Sequence, residues 1–261
     1  MTTLLLSPRY TDDSIALWRA AAAIGWNVER LHRWRVPDLL DDDLVIYGEP
    51  LFAAIVSAQT GYTLLEPVFH WLATVPAQYL RREVRFCHAE DLSDIKFPRF
   101  IKPADDKCFP AQVYASAAEI PSLAELPRST PALVSDVVSW TKEFRVFVLD
   151  NQPATLSAYL RDGKLDIEGS AEELREAEQF VRHILPELDL PPAAVLDVGL
   201  IKNEGWAIVE ANPCWGSGSY NCDPLRVLGV LQRACRRRKD IGPDEARWVF
   251  RHEEVDASEE S

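Results

Sequence analysis

The sequence is short of the features that mark several large classes of protein. No apolar run approaches the length of a membrane helix, and Met1 to Tyr10 lacks the basic start, long apolar core and small-residue cleavage site of a secretory signal. Lys and Arg number 28 against 41 Asp and Glu, a formal charge of −13. Binding polyanions by counterion release needs a basic surplus on one face, so no general nucleic-acid surface is expected. Cys87, Cys108, Cys214, Cys222 and Cys235 form no Cys-x-x-Cys pair, and no histidine stands at ligand spacing from them, which argues against a zinc site or a disulfide framework. Glycine is sparse at 11 residues, and G-x-G-x-x-G, Walker-type and G-x-S-x-G motifs are all missing. These absences point to a reducing, cytoplasmic setting without membrane, dinucleotide or serine-hydrolase signals.

What is present is material for real cores: 261 residues, 47% hydrophobic and 10% aromatic, enough for one large domain or two to three small ones. Residues 249–261 read as an acidic, disordered tail, since Glu253, Glu254, Asp256, Glu259 and Glu260 crowd the last ten positions. The basic run Arg236 to Lys239 follows the apolar run Pro224 to Leu231 and is read as complementing the carbonyl end of a helix.

Residues 1–95 alternate strands and helices, the pattern of a small α/β unit of parallel type. Thr3 to Ser7, Asn27 to Leu31 and Leu44 to Tyr47 are strand candidates. A helix capped at Thr11 or Asp12 carries Ile15, Trp18, Ala22 and Ile24 up to Gly25, and Trp71 to Arg82 reads as a second helix. From about residue 97 the texture changes to pairs of strands: Phe97 to Lys102, Ala132 to Val138, Glu143 to Leu149, Ala154 to Arg161, Val195 to Ile201 and Trp206 to Asn212. Ser116 with Glu119 and Ser170 with Glu173 match the capping box and predict helix starts, and a last helix is expected from Asp223 to Arg237. Residues 96–248 are therefore expected to form an α+β body with a largely antiparallel sheet.

The most informative chemistry lies around the turn Lys202 to Gly205. Side chains two apart on a strand share a face, so Glu210 and Asn212 project together. With a four-residue loop, Ile201 faces Trp206 and Asp197 lies opposite Glu210; a three-residue loop would put Asp197 opposite Ala211 and break the cluster. Two carboxylates and an amide oxygen within an apolar sheet call for a compensating cation. Such oxygen donors suit Mg²⁺, which takes few protein ligands and completes its shell with water and phosphates. The alternative is that one or both acids pair with Arg or sit at a wet sheet edge.

Cations are available nearby. Lys102 ends a strand before Pro103, and Lys107 lies on a polar loop with no glycine to cradle phosphates. On the strand after 142, Phe144, Val146 and Val148 share one face while Glu143 and Arg145 share the other with Phe147. Arg145 offers a planar fork for phosphate or carboxylate, or an ion pair with Glu143 or another acid. The small-residue loop Pro213 to Tyr220 follows directly, and Cys214 and Cys222 read as inert small hydrophobes.

In this order of elements the chain resembles the ATP-grasp superfamily. The resemblance rests on Phe100-Ile101-Lys102-Pro103, on Ser135-Asp136-Val137-Val138 with Glu143-Phe144-Arg145, and on Asp197 followed by Glu210-Ala211-Asn212-Pro213. It covers roughly residues 97–235 and points to a compact, divergent branch. It implies an ATP-grasp fold, with two α+β halves around a nucleotide cleft, preceded by a small α/β domain. It also implies ATP and Mg²⁺ as cofactors. Lys102 and Lys107 would contact phosphates, and Ser135, Asp136, Val137, Val138 and Glu143 would form the cofactor-binding hinge, with Val137 and Val138 offering backbone groups to adenine. Asp197, Glu210 and Asn212 would ligate Mg²⁺, and Arg145 would face the transferred phosphoryl group. The activity so implied is carboxylate–amine ligation through an acyl phosphate, acting on a small molecule, peptide or protein. A kinase using the same site and an ATP-binding assembly module with little turnover are the alternatives. Arg9, Tyr10, Glu49 and Trp215 are candidate lining residues by position.

Overall fold

In the computed structural model, which describes residues 1–37, 43–104, 108–120 and 125–251, β1 (Thr2–Leu6) is the middle strand of a parallel sheet. Its neighbours are β2 (Asn27–Arg30) and β3 (Asp43–Tyr47). A central parallel strand is covered on both faces, which is why Leu4, Leu5 and Leu6 are all fully buried. Helix α1 (Asp12–Ala23) starts at reciprocal Thr11 and Ser14 caps and ends before Gly25 at φ 79°. Its inward face differs from the expected one. Ser14, Leu17, Ala20 and Ala21 are buried, whereas Trp18 is 50% and Ile24 48% exposed. Small side chains let α1 approach the helix near the C-terminus closely, and the bulky Trp18 is left outside.

Helix α2 (Pro50–Thr60) begins on Pro50, whose missing N–H costs nothing there, and stops at left-handed Gly61 before β4 (Tyr62–Leu64). The single helix expected over Trp71 to Arg82 is two short turns, Trp71–Thr74 and α3 (Ala77–Leu80). Pro76 separates them, forcing Val75 into an extended conformation.

Two antiparallel sheets follow. The first has the order β5-β8-β6-β7, built from β5 (Val84–His88), β6 (Arg99–Pro103), β7 (Gln112–Tyr114) and β8 (Pro131–Ser135). The capping-box match at Ser116 yields only one 3-10 turn, Ala117–Glu119, with the Glu119 carboxylate accepting from the Ala115 N–H. The second sheet has the order β11-β10-β9-β12-β13: β9 (Trp140–Leu149), β10 (Gln152–Arg161), β11 (Lys164–Leu165), β12 (Ala193–Ile201) and β13 (Gly205–Asn212). Asp150 and Asn151, both at positive φ, make a two-residue turn between β9 and β10. Helix α4 (Ala171–Ile184) carries the expected Ser170/Glu173 capping box.

Helix α5 (Pro224–Ala234), capped by Asp223, ends three residues earlier than expected, because β14 (Cys235–Arg237) pairs antiparallel with β4. The basic run therefore does not serve a helix end: Arg236 pairs with Glu245 and Arg237 with Asp43. Nor does the chain leave the fold at 249. Val249 bridges Leu65 and the Phe250 N–H donates to Leu64, while the acidic positions 252–261 lie outside the described residues.

One core joins the parallel sheet, α1, α2 and α5 to Phe147, Ala193 and Val195 on one face of the five-stranded sheet. A second packs α4 against Phe144, Val146, Val148, Leu196 and Val198 on the other face. The alternation expected along β9 is thus observed. Toward the other end of the same strands, the first face turns from apolar to charged.

Glu66, held by its N–H to the Trp248 carbonyl, has its carboxyl pushed up to about 8 by burial. The unfolded chain then loses this proton first, so rising pH favours unfolding between about 4.5 and about 8. Melting temperatures from pH 5 to 8.5 should fall less steeply in Glu66→Gln than in the wild type; parallel curves would refute the effect.

Candidate functional site

Asp197, Glu210 and Asn212 converge, but not through an even loop. Ile201 pairs with Gly205, so the loop holds three residues, and an unbroken register from there would set Asp197 opposite Val209. A β-bulge between Asp197 and Val198 makes Val209 an extra residue: Val198 pairs with Ile208, and Asp197 with Glu210. The expectation that a three-residue loop breaks the cluster is corrected by this bulge, which restores the parity the loop removes.

On its other side Asp197 pairs with Arg145 of β9. Arg145 Nε donates to Asp197 Oδ1 at 2.9 Å and Nη2 to Oδ2 at 2.7 Å, while Nη1 donates to the Gly218 carbonyl at 3.0 Å. The side chains are 8% and 1% exposed, and the rings of Tyr159 and Tyr220 lie 5.0 Å from the guanidinium carbon. Of the readings open for Arg145, an ion pair with another acid is what the structure shows. Burial weighs against the Arg145 charge, and the Asp197 carboxylate outweighs it, leaving the guanidinium firmly protonated. Breaking such a pair by removing one partner costs about 3–5 kcal/mol, because a bare buried charge remains.

Lys102 of β6 reaches across from the four-stranded sheet, its Nζ 2.5 Å from Glu210 Oε2. The Asn212 amide donates to Glu210 Oε1 at 2.9 Å and to Asp197 Oδ2 at 3.3 Å, bridging the two acids. Burial would push the Glu210 carboxyl up; Lys102 and Asn212 outweigh it and hold the group at about 2. Glu143 lies on the same face, buried, and is pushed up to about 7 by burial and by the charges of Asp197 and Glu210. Opposite it is Gly199, where a Cβ would stand 2.6 Å from the Lys142 carbonyl and 2.9 Å from the Trp140 ring, so only glycine fits.

Between β8 and β9 the chain crosses from one sheet to the other through Asp136, Val137 and Val138. Asp136 pairs with Arg99 and accepts from the Glu83 N–H at 2.8 Å, which anchors the crossing. Buried Ser135 donates its hydroxyl to the Asp136 carbonyl, and Val137 is left 47% exposed. Lys107 lies outside the described residues.

The small-residue loop after Asn212 is tied to the parallel sheet. Ser219 Oγ donates to Asp13 at 2.6 Å, Tyr47 Oη to the Ser217 carbonyl, and the Gly48 N–H to Trp215. Trp215, 1% exposed and packed on Phe250, is core rather than lining. Arg9 pairs with Glu49, and Tyr10 stacks on Arg30, all at the carboxyl ends of β1 to β3, where open parallel sheets bind ligands. Cys214 and Cys222 are buried with raised thiols, as expected of small hydrophobes.

Among the described residues no three Asp, Glu, His or Cys side chains form a ready cation cage. Glu210 and Asn212, with Asp197 already shared with Arg145, are instead a sparse set of hard oxygen donors. That set suits Mg²⁺, which draws most of its shell from water and phosphates. Sequence reasoning missed Arg82, Tyr159 and Tyr220, since their roles arise only when distant segments meet. Burial pulls the Arg82 guanidinium down to about 10 against the pull of Glu210 and Glu143.

A family model for the ATP-grasp domain, the second family of its clade, matches residues 79–230. No curated protein matches the sequence significantly. Among solved structures, a RimK domain ATP-grasp protein from Sphaerobacter thermophilus is similar at TM-score 0.54 and 17% identity, over 89% of this chain and 98% of that one. A D-alanine–D-alanine ligase from Bacillus anthracis gives TM-score 0.54 at 10% identity, over 89% and 96%. The macrocyclase MdnC of Microcystis aeruginosa, bound with its precursor peptide, gives 0.50 at 12%, over 88% and 99%. These likenesses show the fold. With the family match spanning more than half of its length, the chain belongs to the ATP-grasp superfamily.

Proposed function

We propose that the protein is an ATP- and Mg²⁺-dependent carboxylate–amine ligase working through an acyl phosphate. The observation that carries this reading is the continuous network Lys102, Glu210, Asn212, Asp197 and Arg145, which joins the two antiparallel sheets. ATP would lie between those sheets, its base against the backbone of Val137 and Val138, with Ser135 and Asp136 shaping the crossing and Glu143 presenting a polar group to the nucleotide. Residues 1–95 would act as the preceding domain and residues 96–248 as the grasp.

Lys102 is 22% exposed at its side chain, so it can exchange Glu210 for an arriving phosphate, with Lys107 as a second phosphate contact. Glu210 and Asn212, with Asp197, would hold Mg²⁺. When bound, the ion neutralises charge on the distal phosphates. A carboxylate oxygen of the substrate then attacks the γ-phosphorus; the bond to the bridging oxygen breaks and ADP leaves. An amine attacks the acyl carbon, phosphate departs with the C–O electron pair, and the ammonium proton is lost to solvent. The protein's work is positioning and charge stabilisation. Arg145, locked by Asp197, keeps a second N–H on each Nη for the phosphoryl or acyl phosphate oxygens. No covalent nucleophile is needed, in keeping with the buried cysteines.

Glu210→Ala should abolish the Mg²⁺-dependent part of ATP binding, about ten-fold or more in affinity, while the melting temperature shows the fold intact. Unchanged nucleotide affinity would remove the metal assignment. Lys102→Ala should weaken ATP much more than AMP in calorimetric titrations; equal losses would place the lysine away from the distal phosphates. Product analysis decides the reaction, because a ligase releases ADP and phosphate with a new amide, whereas a kinase leaves a stable phosphoester.

A further inference from the structure

We infer that Arg82 is a positioning residue of the site: its guanidinium clamps the β-bulge of β13 and so keeps Glu210 and Asn212 in register with Asp197. The inference rests on the reading of Glu210 and Asn212 given above.

Arg82 follows α3, and its Nη1 donates to the Ile208 carbonyl at 2.7 Å and its Nη2 to the Val209 carbonyl at 3.0 Å. In a regular strand, successive carbonyls point to opposite edges. Two consecutive carbonyls can face one guanidinium here because Val209 is the extra residue of the bulge. β13 is also an edge strand, so its outer carbonyls have no strand partner; Arg81 Nε takes the next one along, that of Trp206, at 2.9 Å.

The fork itself is held in place. Nη1 also donates to the Leu80 carbonyl at 3.1 Å, and the guanidinium lies 5.0 Å above the Trp140 ring, which in turn packs against the bare Cα of Gly199. Without the clamp, nothing on the outer edge favours the bulged register over a sliding one. A one-residue slip turns Glu210 and Asn212 away from the face of Asp197 and Arg145. The clamped carbonyls belong to the two residues just before Glu210, so the restraint acts where the register is set. Lysine, a point charge, cannot span both carbonyls and stack on the indole together.

The test is calorimetric titration with ATP, with and without Mg²⁺, on wild type, Arg82→Lys, Arg82→Met, and Arg82→Met with Val209 deleted. Hydrogen exchange of residues 205–212 is measured alongside. Deleting Val209 removes the extra residue and leaves Glu210 opposite Asp197 in an unbulged ladder. Both single variants should lose most of the Mg²⁺-dependent gain, about ten-fold or more, keep Mg²⁺-free ATP affinity within about two-fold, and exchange faster over 205–212. Deletion of Val209 should restore the gain and slow the exchange.

If Arg82→Lys keeps the gain, or if Mg²⁺-free affinity falls as far as Mg²⁺-bound affinity, Arg82 acts by charge on the phosphates and the clamp is overturned. Failure of the Val209 deletion to rescue also overturns it. If the wild type itself shows no Mg²⁺-dependent gain, the metal reading falls; exchange then judges the clamp alone, and unchanged exchange in Arg82→Met overturns it.

Discussion

Everything at the centre of this molecule is arranged around one buried ion pair, Arg145 with Asp197. Both groups lie within a five-stranded sheet whose neighbouring positions are apolar, where an isolated charge is far too costly to keep. The bidentate geometry satisfies both carboxylate oxygens, and Gly218 and the Tyr159 and Tyr220 rings take up much of the rest of the guanidinium. With that pair in place, Asn212 and Glu210 can approach a second carboxylate without leaving net charge stranded. Lys102 completes the balance from the other sheet. The pair therefore supports the side-chain network as well as the sheet.

The same face shows how the fold divides its labour. Along β9 and β12, Phe147 and Val195 lie in the core shared with α5 and the parallel sheet, and one step further along come Arg145 and Asp197. Beyond them are Glu143 and Gly199. A single strand face thus passes from packing, through a locked ion pair, to the polar ground between the sheets. The loop after Asn212 closes the arrangement by tying Ser219 to Asp13 and Ser217 to Tyr47. The N-terminal sheet is in this way attached to the site as well as to the core.

Much of this was legible in the residues. The alternation in Glu143 to Val148, the Ser170 capping box and the Glu210-Ala211-Asn212 ending each follow from local periodicity or capping chemistry, and the structure reproduces all three. The misses have physical causes. Loop counting failed at Lys202 because a bulge is a property of two paired strands rather than of one. The Trp71 to Arg82 helix failed at Pro76, and the helix expected to reach Arg237 failed because β4 captured Cys235 to Arg237. Periodicity chose Trp18 for the inward face of α1, but close packing of helices prefers Ser14 and Ala21. Arg82 was invisible because its partners are 126 and 127 residues away in sequence.

The most direct measurement is a crystal structure with Mg²⁺ and a non-hydrolysable ATP analogue. The analogue should lie between the two antiparallel sheets with its base at Val137 and Val138. Lys102 Nζ should have left Glu210 for a phosphate oxygen, and the Arg145 to Asp197 pair should be unchanged. An analogue bound elsewhere, with the Lys102 to Glu210 contact still made, would contradict the assignment of this network as the nucleotide site.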